Sequence, residues 1–405
     1  MAKALRLFRE RGFDLLLADS NVASARGDLK IARAFPNPLV GGGGGYTWDY
    51  NPGKCESGDC SRHPWNANLS DQGLLFDLLI GKRRLKVDVA QSALEAARLS
   101  RADANRVLTA MLKQQYVQTV LARAALGFAK DARDSTAKTA DLISVRFHAG
   151  DVSEADVART ETSRLEVEQQ VDAATEALAS AKASLAFLLG SRDAVPDFEV
   201  VPDLPPTVQP ASLVGANPES LLAQARQHRP DLAASRASTA SAEAALALAQ
   251  RERLPDIAVN GGYTQEGHGQ EAIQPPTATF GLSLPLPLFY QNGGEIQKAE
   301  AALHTQEILG RRLDAQVASD VATAWAAWQS ASARVSRMQS GLLERATRAR
   351  DLVEYQYRRG AASLLEVLDA QRTFVSTNAE YYQSLGDYWD ALYQLEEATG
   401  VELGT

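Results

Sequence analysis

Two carboxylates, Glu366 and Asp369, stand three residues apart, which places both on one face of a helix. Such a pair is either an ordinary solvated face or, repeated around a symmetry axis, a ring of negative charge that draws cations into a narrow aqueous passage. Two cysteines, Cys55 and Cys60, enclose Glu56-Ser57-Gly58-Asp59 in a polar loop. A close exposed pair reads as a small disulfide of an oxidising compartment; a metal site with His63 as third ligand is the other reading. The remaining sequence carries little chemistry. Five histidines and three methionines form no ladder. No metal-ligand cluster, phosphate-cradling loop or activated nucleophile is present, so the expectation is a protein with no catalytic residue, no metal and no cofactor.

The elements that must position these residues come in two copies. Asp141-Leu142, Gly150, Ser153, Val157, Leu185 and Gly190 recur without gaps about 210 positions later as Asp351-Leu352, Gly360, Ser363, Val367, Leu395 and Gly400. Asp14-Leu15, Pro38 and Gly44-Gly45-Tyr46-Thr47 recur as Asp231-Leu232, Pro255 and Gly261-Gly262-Tyr263-Thr264, about 217 later. One large supersecondary unit has been duplicated.

Breakers are scarce for 405 residues: 66–195 and 288–405 contain no proline and are rich in good helix formers. Long helical hairpins are therefore the leading class. The net charge of −8 and the lack of a basic cluster argue against nucleic acid as a partner. No apolar run reaches the 18 residues of a spanning helix, and Leu15-Leu16-Leu17-Ala18 is too short for a signal-peptide core. The chain reads as one whose export signal has been removed, with a cytosolic protein as the alternative.

The first repeat covers 1–190: a helix over 4–35, strands over 39–50 and 69–80, and helices over 82–148 and 151–189. Its long helix would extend roughly 100 Å. A proline-rich connector follows at 191–218. The second repeat covers 219–405: a helix over 219–253, strands over 256–266 and 277–289, and helices over 294–359 and 363–398. Gly150 and Gly360 permit the reversals, and Ser153 and Ser363 stand where helix caps belong. Trp325, Trp328 and Trp389 read as helix-packing anchors.

In the last strand Phe280, Leu282, Leu284, Leu286 and Leu288 alternate with Thr279, Gly281, Ser283, Pro285 and Pro287. A continuous apolar face with aromatics near the strand ends fits a transmembrane β-barrel facing lipid. Four strands cannot close a barrel, and open edges cannot rest in lipid. Three chains would supply twelve strands.

With these features in place, the chain resembles the TolC-like outer-membrane efflux channels over essentially its whole length. The resemblance rests on His228-Arg229-Pro230-Asp231-Leu232, Leu254-Pro255-Asp256-Ile257, the strand through Leu284-Pro285-Leu286, Tyr357-Arg358-Arg359-Gly360, Ser363 through Gln371, and Leu395 through Gly400. It implies a mainly α protein with a transmembrane β-barrel: a homotrimer whose twelve-stranded barrel lies in outer-membrane lipid above a twelve-helix α-barrel in the periplasm. It also implies a periplasmic adaptor and an inner-membrane pump of the RND type as partners. The segment Pro36-Asn37-Pro38 resembles the heavy-metal cation branch, so the cargo it implies is metal cations. Drug or organic-solute efflux and type I secretion are the alternatives, and a soluble coiled-coil scaffold is the reading from another class.

The same resemblance implies roles for single residues. Glu366 and Asp369 match an acidic pair at the periplasmic constriction, and Tyr357 matches a constriction tyrosine. The tips, with Gly150, Ser153, Gly360, Ser363, Leu364, Arg358 and Arg359, match the adaptor-docking surface. Family members can carry an arginine two residues after the tip glycine; here that position is Ala362. The copies also differ: Asp156 stands opposite Glu366, but Arg159 stands opposite Asp369, so an acidic ring would come from the second copy alone.

Overall fold

The computed structural model describes residues 1–46, 48, 60–191, 198–201, 207–267 and 276–403. In chain order the elements are α1 (Ala2–Arg11), α2 (Phe13–Arg33), β1 (Leu39–Gly44), β2 (Cys60–Ser70), α3 (Leu74–Leu79), α4 (Lys82–His148) and α5 (Glu154–Leu188), followed by α6 (Pro218–His228), α7 (Pro230–Arg251), β3 (Ala258–Gly267), β4 (Thr277–Ser283), α8 (Gly293–Arg337), a π-turn (Met338–Leu342), α9 (Leu343–Arg358) and α10 (Leu364–Thr399). They form two compact units. One contains Met1–Asp19, Ser100–Leu232 and Leu313–Thr405, the other Ser20–Leu99 and Ala233–Arg312.

The second of these units holds an antiparallel sheet in the order β1-β2-β3-β4. The two copies meet where β2 pairs with β3, with Ser70 opposite Asn260 and Asn66 opposite Thr264. Where strands give way to helices, Lys82 is 3% exposed. Its ammonium donates to the Leu254 carbonyl at 2.7 Å and is paired with Asp256. A buried ammonium needs such partners, because desolvation without them is costly. Arg83 lies 4.0 Å over the Phe35 ring and donates to the Ala34 carbonyl at 2.9 Å, tying the end of α2 to the start of α4.

Several expected elements are corrected. Residues 69–80 are not a strand: β2 occupies Cys60–Ser70, and α3 begins at Leu74. The run Leu74-Leu75-Phe76-Asp77-Leu78-Leu79 is too short for periodicity to separate strand from helix. Two local features decide it. Gly73 takes φ +85, ending the extended chain. Asp71 accepts hydrogen bonds from the backbone N–H groups of Gly73 (3.0 Å), Leu75 (3.2 Å) and Val259 (2.8 Å), which starts the helix and docks it on β3. β2 itself reads as polar loop and carries Pro64, which is tolerated at the register irregularity between Cys60 and Trp65.

The strand expected over 277–289 stops at Ser283, since Pro285 and Pro287 lack the N–H that a ladder requires. Leu284, Leu286 and Leu288 therefore lie beyond β4, exposed at 45, 64 and 73%. The helix expected over 4–35 breaks at Gly12, and that over 219–253 breaks at Arg229 before Pro230. The helix expected over 294–359 is interrupted by the π-turn. Most of the loop around Cys55, and prolines 196, 202, 205 and 206, lie outside the described residues; so does Cys55 itself, and with it the pairing of Cys55 and Cys60.

In the other unit, the breaks serve packing. Gly190 (φ +77) ends α5 against the backbone of Arg11, where a side chain would strike that backbone, and Gly400 (φ +72) ends α10 in tight contact with His228 and Arg229. Arg229, 7% exposed, is held by Asp231 at 2.7 Å, Asp320 at 3.2 Å and the Ala398 carbonyl at 3.2 Å. The main core sets Val317, Val321, Trp325 and Trp328 against Tyr388, Trp389, Leu392 and Leu395. A second cluster gathers Phe8, Leu15, Leu112 and Leu185.

Candidate functional site

The two helix reversals share one geometry. Gly150 N–H donates to the Phe147 carbonyl (3.0 Å) and Asp151 N–H to that of Arg146 (2.9 Å); Gly360 donates to Tyr357 (3.0 Å) and Ala361 to Gln356 (2.9 Å). This is the Schellman arrangement, and it needs a residue in the left-handed region, here Gly150 at φ +84 and Gly360 at φ +74.

Each return helix starts with a capping box. Asp156 N–H donates to Ser153 Oγ (3.2 Å), while Asp156 Oδ2 accepts from Ser153 N–H (3.2 Å) and Oγ–H (2.8 Å). In the second copy Glu366 N–H donates to Ser363 Oγ (3.3 Å), and Glu366 Oε2 accepts from Ser363 N–H (2.7 Å) and Oγ–H (2.8 Å). The Ser363 backbone N–H, then its hydroxyl, holds the Glu366 carboxyl below the usual carboxylate range. The Ser153 hydroxyl and N–H do the same for Asp156, with Arg159 adding to it.

Beyond the caps the copies diverge. Arg159 lies 3.6 Å from Asp156 and partly offsets its charge. Asp369, at the matching place, is exposed and makes no ion pair or hydrogen bond among the described residues. The second tip thus presents two carboxylates without an ion pair among the described residues, one tied to a cap and one free. Arg358 and Arg359 are exposed before the reversal, and the Arg359 guanidinium lies 5.3 Å over the Tyr355 ring.

Tyr357 is 7% exposed, packed with Ile143, Leu364 and Val367. Its hydroxyl is buried without a hydrogen-bond partner, and the Arg146 guanidinium covers its ring at 4.9 Å. Ile143 and Arg146 belong to the first copy, so this cluster clasps one hairpin to the other. Gln371 Nε2 reinforces the clasp, donating to Thr139 Oγ1 (3.2 Å) and Glu354 Oε1 (3.0 Å), and Arg372 reaches Glu166 at 3.2 Å. Sequence reading missed Arg146 and Ile143 as partners of Tyr357. Their signal was the mismatch between copies, since Arg146 stands opposite Gln356.

The expectation of Leu364 as a docking residue is corrected. It is 7% exposed inside the clasp, packed with Ile143, Tyr357 and Val367. Val145 (68%), Phe147 (41%) and Leu365 (64%) are the apolar side chains that the tips expose in its place. Among the described residues no group of three or more His, Cys, Asp or Glu is arranged to hold a metal, and no helix is long and apolar enough to cross a membrane.

A profile of the outer membrane efflux protein family matches residues 4–191 and 221–401. The chain is 24% identical over 404 residues to the cobalt-zinc-cadmium resistance protein CzcC of Cupriavidus metallidurans, covering 98% of this chain and 89% of that protein. It is 25% identical to the pyoverdine export outer membrane protein OpmQ of Pseudomonas putida, covering 81% of this chain and 71% of that one. A solved structure of CusC superposes with a TM-score of 0.79 at 20% identity, covering 99% of this chain and 92% of the other. The fold is thus that of a known architecture, and the chain belongs to the outer membrane efflux protein family: it is a TolC-like efflux channel protein of the Gram-negative outer membrane.

Proposed function

We propose that three copies of this chain form the exit duct of a tripartite efflux system. The observation that carries this reading is the sheet. β1 and β4 have unpaired edges among the described residues, and Phe280 and Leu282 on β4 are exposed at 89 and 73%. In lipid an edge must be paired, and three four-stranded sheets joined edge to edge close a twelve-stranded barrel. Their helices continue as a twelve-helix tunnel whose periplasmic end lies at Gly150 and Gly360. Leu284, Leu286 and Leu288 then belong to the collar where barrel passes into helix.

The duct works passively; selection and energy belong to an inner-membrane pump, of the RND type, joined through a periplasmic adaptor. The gate is the second-copy tip. With Tyr357 clasped under Arg146 the hairpins are held together. Three copies of Glu366 and Asp369 set six carboxylates around the axis and favour cations. The adaptor meets the exposed tip residues Arg358, Arg359, Val145, Phe147 and Leu365, and the caps at Ser153 and Ser363 keep those turns rigid. Heavy-metal cations are the cargo this acidic gate and the likeness to CzcC favour; the likeness to OpmQ favours organic solutes as the second reading.

Single-channel recording of the detergent-purified protein in a planar bilayer tests this. Discrete, cation-preferring steps are expected. No insertion, with full solubility once detergent is withdrawn, would leave a helical scaffold instead.

A further inference from the structure

The two faces of the sheet differ in chemistry. Side chains alternate between the faces along a strand, and residues directly opposite each other share a face. Phe280 and Leu282, which the duct reading turns to lipid, lie on one face. On the other, the register aligns Gly41, Asn68, Gly262 and Thr279 in one row across all four strands, and Gly43, Asn66, Thr264 and Thr277 in the next. Neither row contains a charged residue; both hold only amides, hydroxyls and glycines.

The glycines in these rows do not serve the backbone. None of Gly41, Gly43 and Gly262 has a positive φ, and glycine inside a strand is otherwise unfavourable. What each provides is room for the side chain opposite. A methyl group at Gly41 would strike Asn68 Oδ1, one at Gly43 would come within 3.1 Å of Asn66 Oδ1, and one at Gly262 within 2.6 Å of Thr279 Oγ1. Asn68 and Asn66 therefore lean sideways over β1, and Thr279 over β3, instead of standing off the sheet. Asn260, on the same face, also directs its amide along the wall, donating from Nδ2 to Ser283 Oγ on β4 at 3.0 Å.

We infer that Gly41, Gly43 and Gly262 set the width of the barrel's bore, by letting Asn68, Asn66 and Thr279 lie against its wall, and that the bore sorts solutes by size and not by charge. Cations, anions and neutral solutes pass these rows alike, and any preference for cations arises at the tips. This rests on the duct reading, which supplies the identity of the two faces.

Thiol labelling of the full chain in the outer membrane of intact cells tests the inference, with Cys55 and Cys60 replaced by serine and reagents supplied from outside. Ser283→Cys lies past both rows from the Thr277 end of β4. With small charged thiosulfonates it is expected to react about tenfold faster than its neighbour Leu282→Cys. Cationic and anionic reagents should agree within about threefold once scaled to a free thiol. Gly41→Ala, which pushes Asn68 off the wall, should slow a bulky polyethylene-glycol maleimide at Ser283→Cys about fivefold and leave the small reagents unaffected. Asn68→Ala alone should change little, and added to Gly41→Ala it should restore the fast rate. Gly262→Ala, acting on Thr279, is the second variant should the first not assemble. Equal labelling at positions 282 and 283 sinks the duct reading, and the inference with it. Unequal labelling with a bulky-reagent rate that neither glycine variant slows, or with a strong preference for one charge, overturns the inference and leaves the duct standing.

Discussion

The two tips are built on one plan and finished differently. Both have a glycine reversal, a serine cap and an acidic third residue. After that, the first tip pairs Asp156 with Arg159 and exposes Phe147, whereas the second leaves Asp369 free and buries Tyr357. Shared geometry therefore belongs to the turn, which any such hairpin needs. The differences mark where the copies took separate work: one with its acidic cap residue paired to Arg159 and its ring outward, the other with Asp369 unpaired and its ring clasped to its neighbour. Duplication supplied the scaffold twice, and divergence at a few positions made one copy a candidate gate.

The largest expected effect comes from removing the clasped ring. Tyr357→Ala should lower the local opening free energy of the tip, read by hydrogen exchange, by about 3 kcal/mol, while Phe147→Ala at the exposed counterpart should cost less than about 1 kcal/mol. Equal costs would abolish the distinction. Tyr357→Phe should be close to neutral, since the lost hydroxyl has no partner.

Next come the reversals, where the copies should behave alike. Gly150→Ala and Gly360→Ala each force a side chain into the left-handed region, at about 1 kcal/mol apiece. A twofold disparity in the measured cost would show that one reversal does more than turn the chain.

Charge can be moved between the copies. Glu366→Gln with Asp369→Asn should reduce cation over anion permeability about threefold in reversal-potential measurements, by removing the ring field. Arg159→Asp in the first copy should raise it by a similar factor. Selectivity indifferent to both would take the acidic pair out of the gate.

The smallest effect is on pH. The Glu366 and Asp156 carboxyls are depressed by their caps, so the caps contribute fully above the ordinary carboxylate pKa of about 4 and are lost as pH falls through the lower folded values. Helix fraying at both tips should therefore appear only below about pH 4, and Ser363→Ala should erase the pH dependence at the second tip alone. Amide exchange followed from pH 6 to pH 3 measures it.

What the chain determined by itself is what depends on neighbours in sequence. Proline-free stretches dictated the long helices, glycine and serine at matched positions dictated the reversals and caps, and recurrence of Asp-Leu, Gly and Ser dictated the duplication. Local patterns were also where reading failed when they were silent. β2 has no apolar alternation because neither face is buried in one chain, and α3 depends on Asp71 reaching across to Val259. The breaks at Gly12 and Arg229 look like minor interruptions until the ends of α5 and α10 are seen to pack into them. Only the tertiary structure decided that Tyr357 faces Ile143 and Arg146, that Leu364 turns inward, and that Glu366 serves a cap while Asp369 stands free. Periodicity names the face a residue occupies; what that face meets depends on residues some two hundred positions away, whose approach is set by packing.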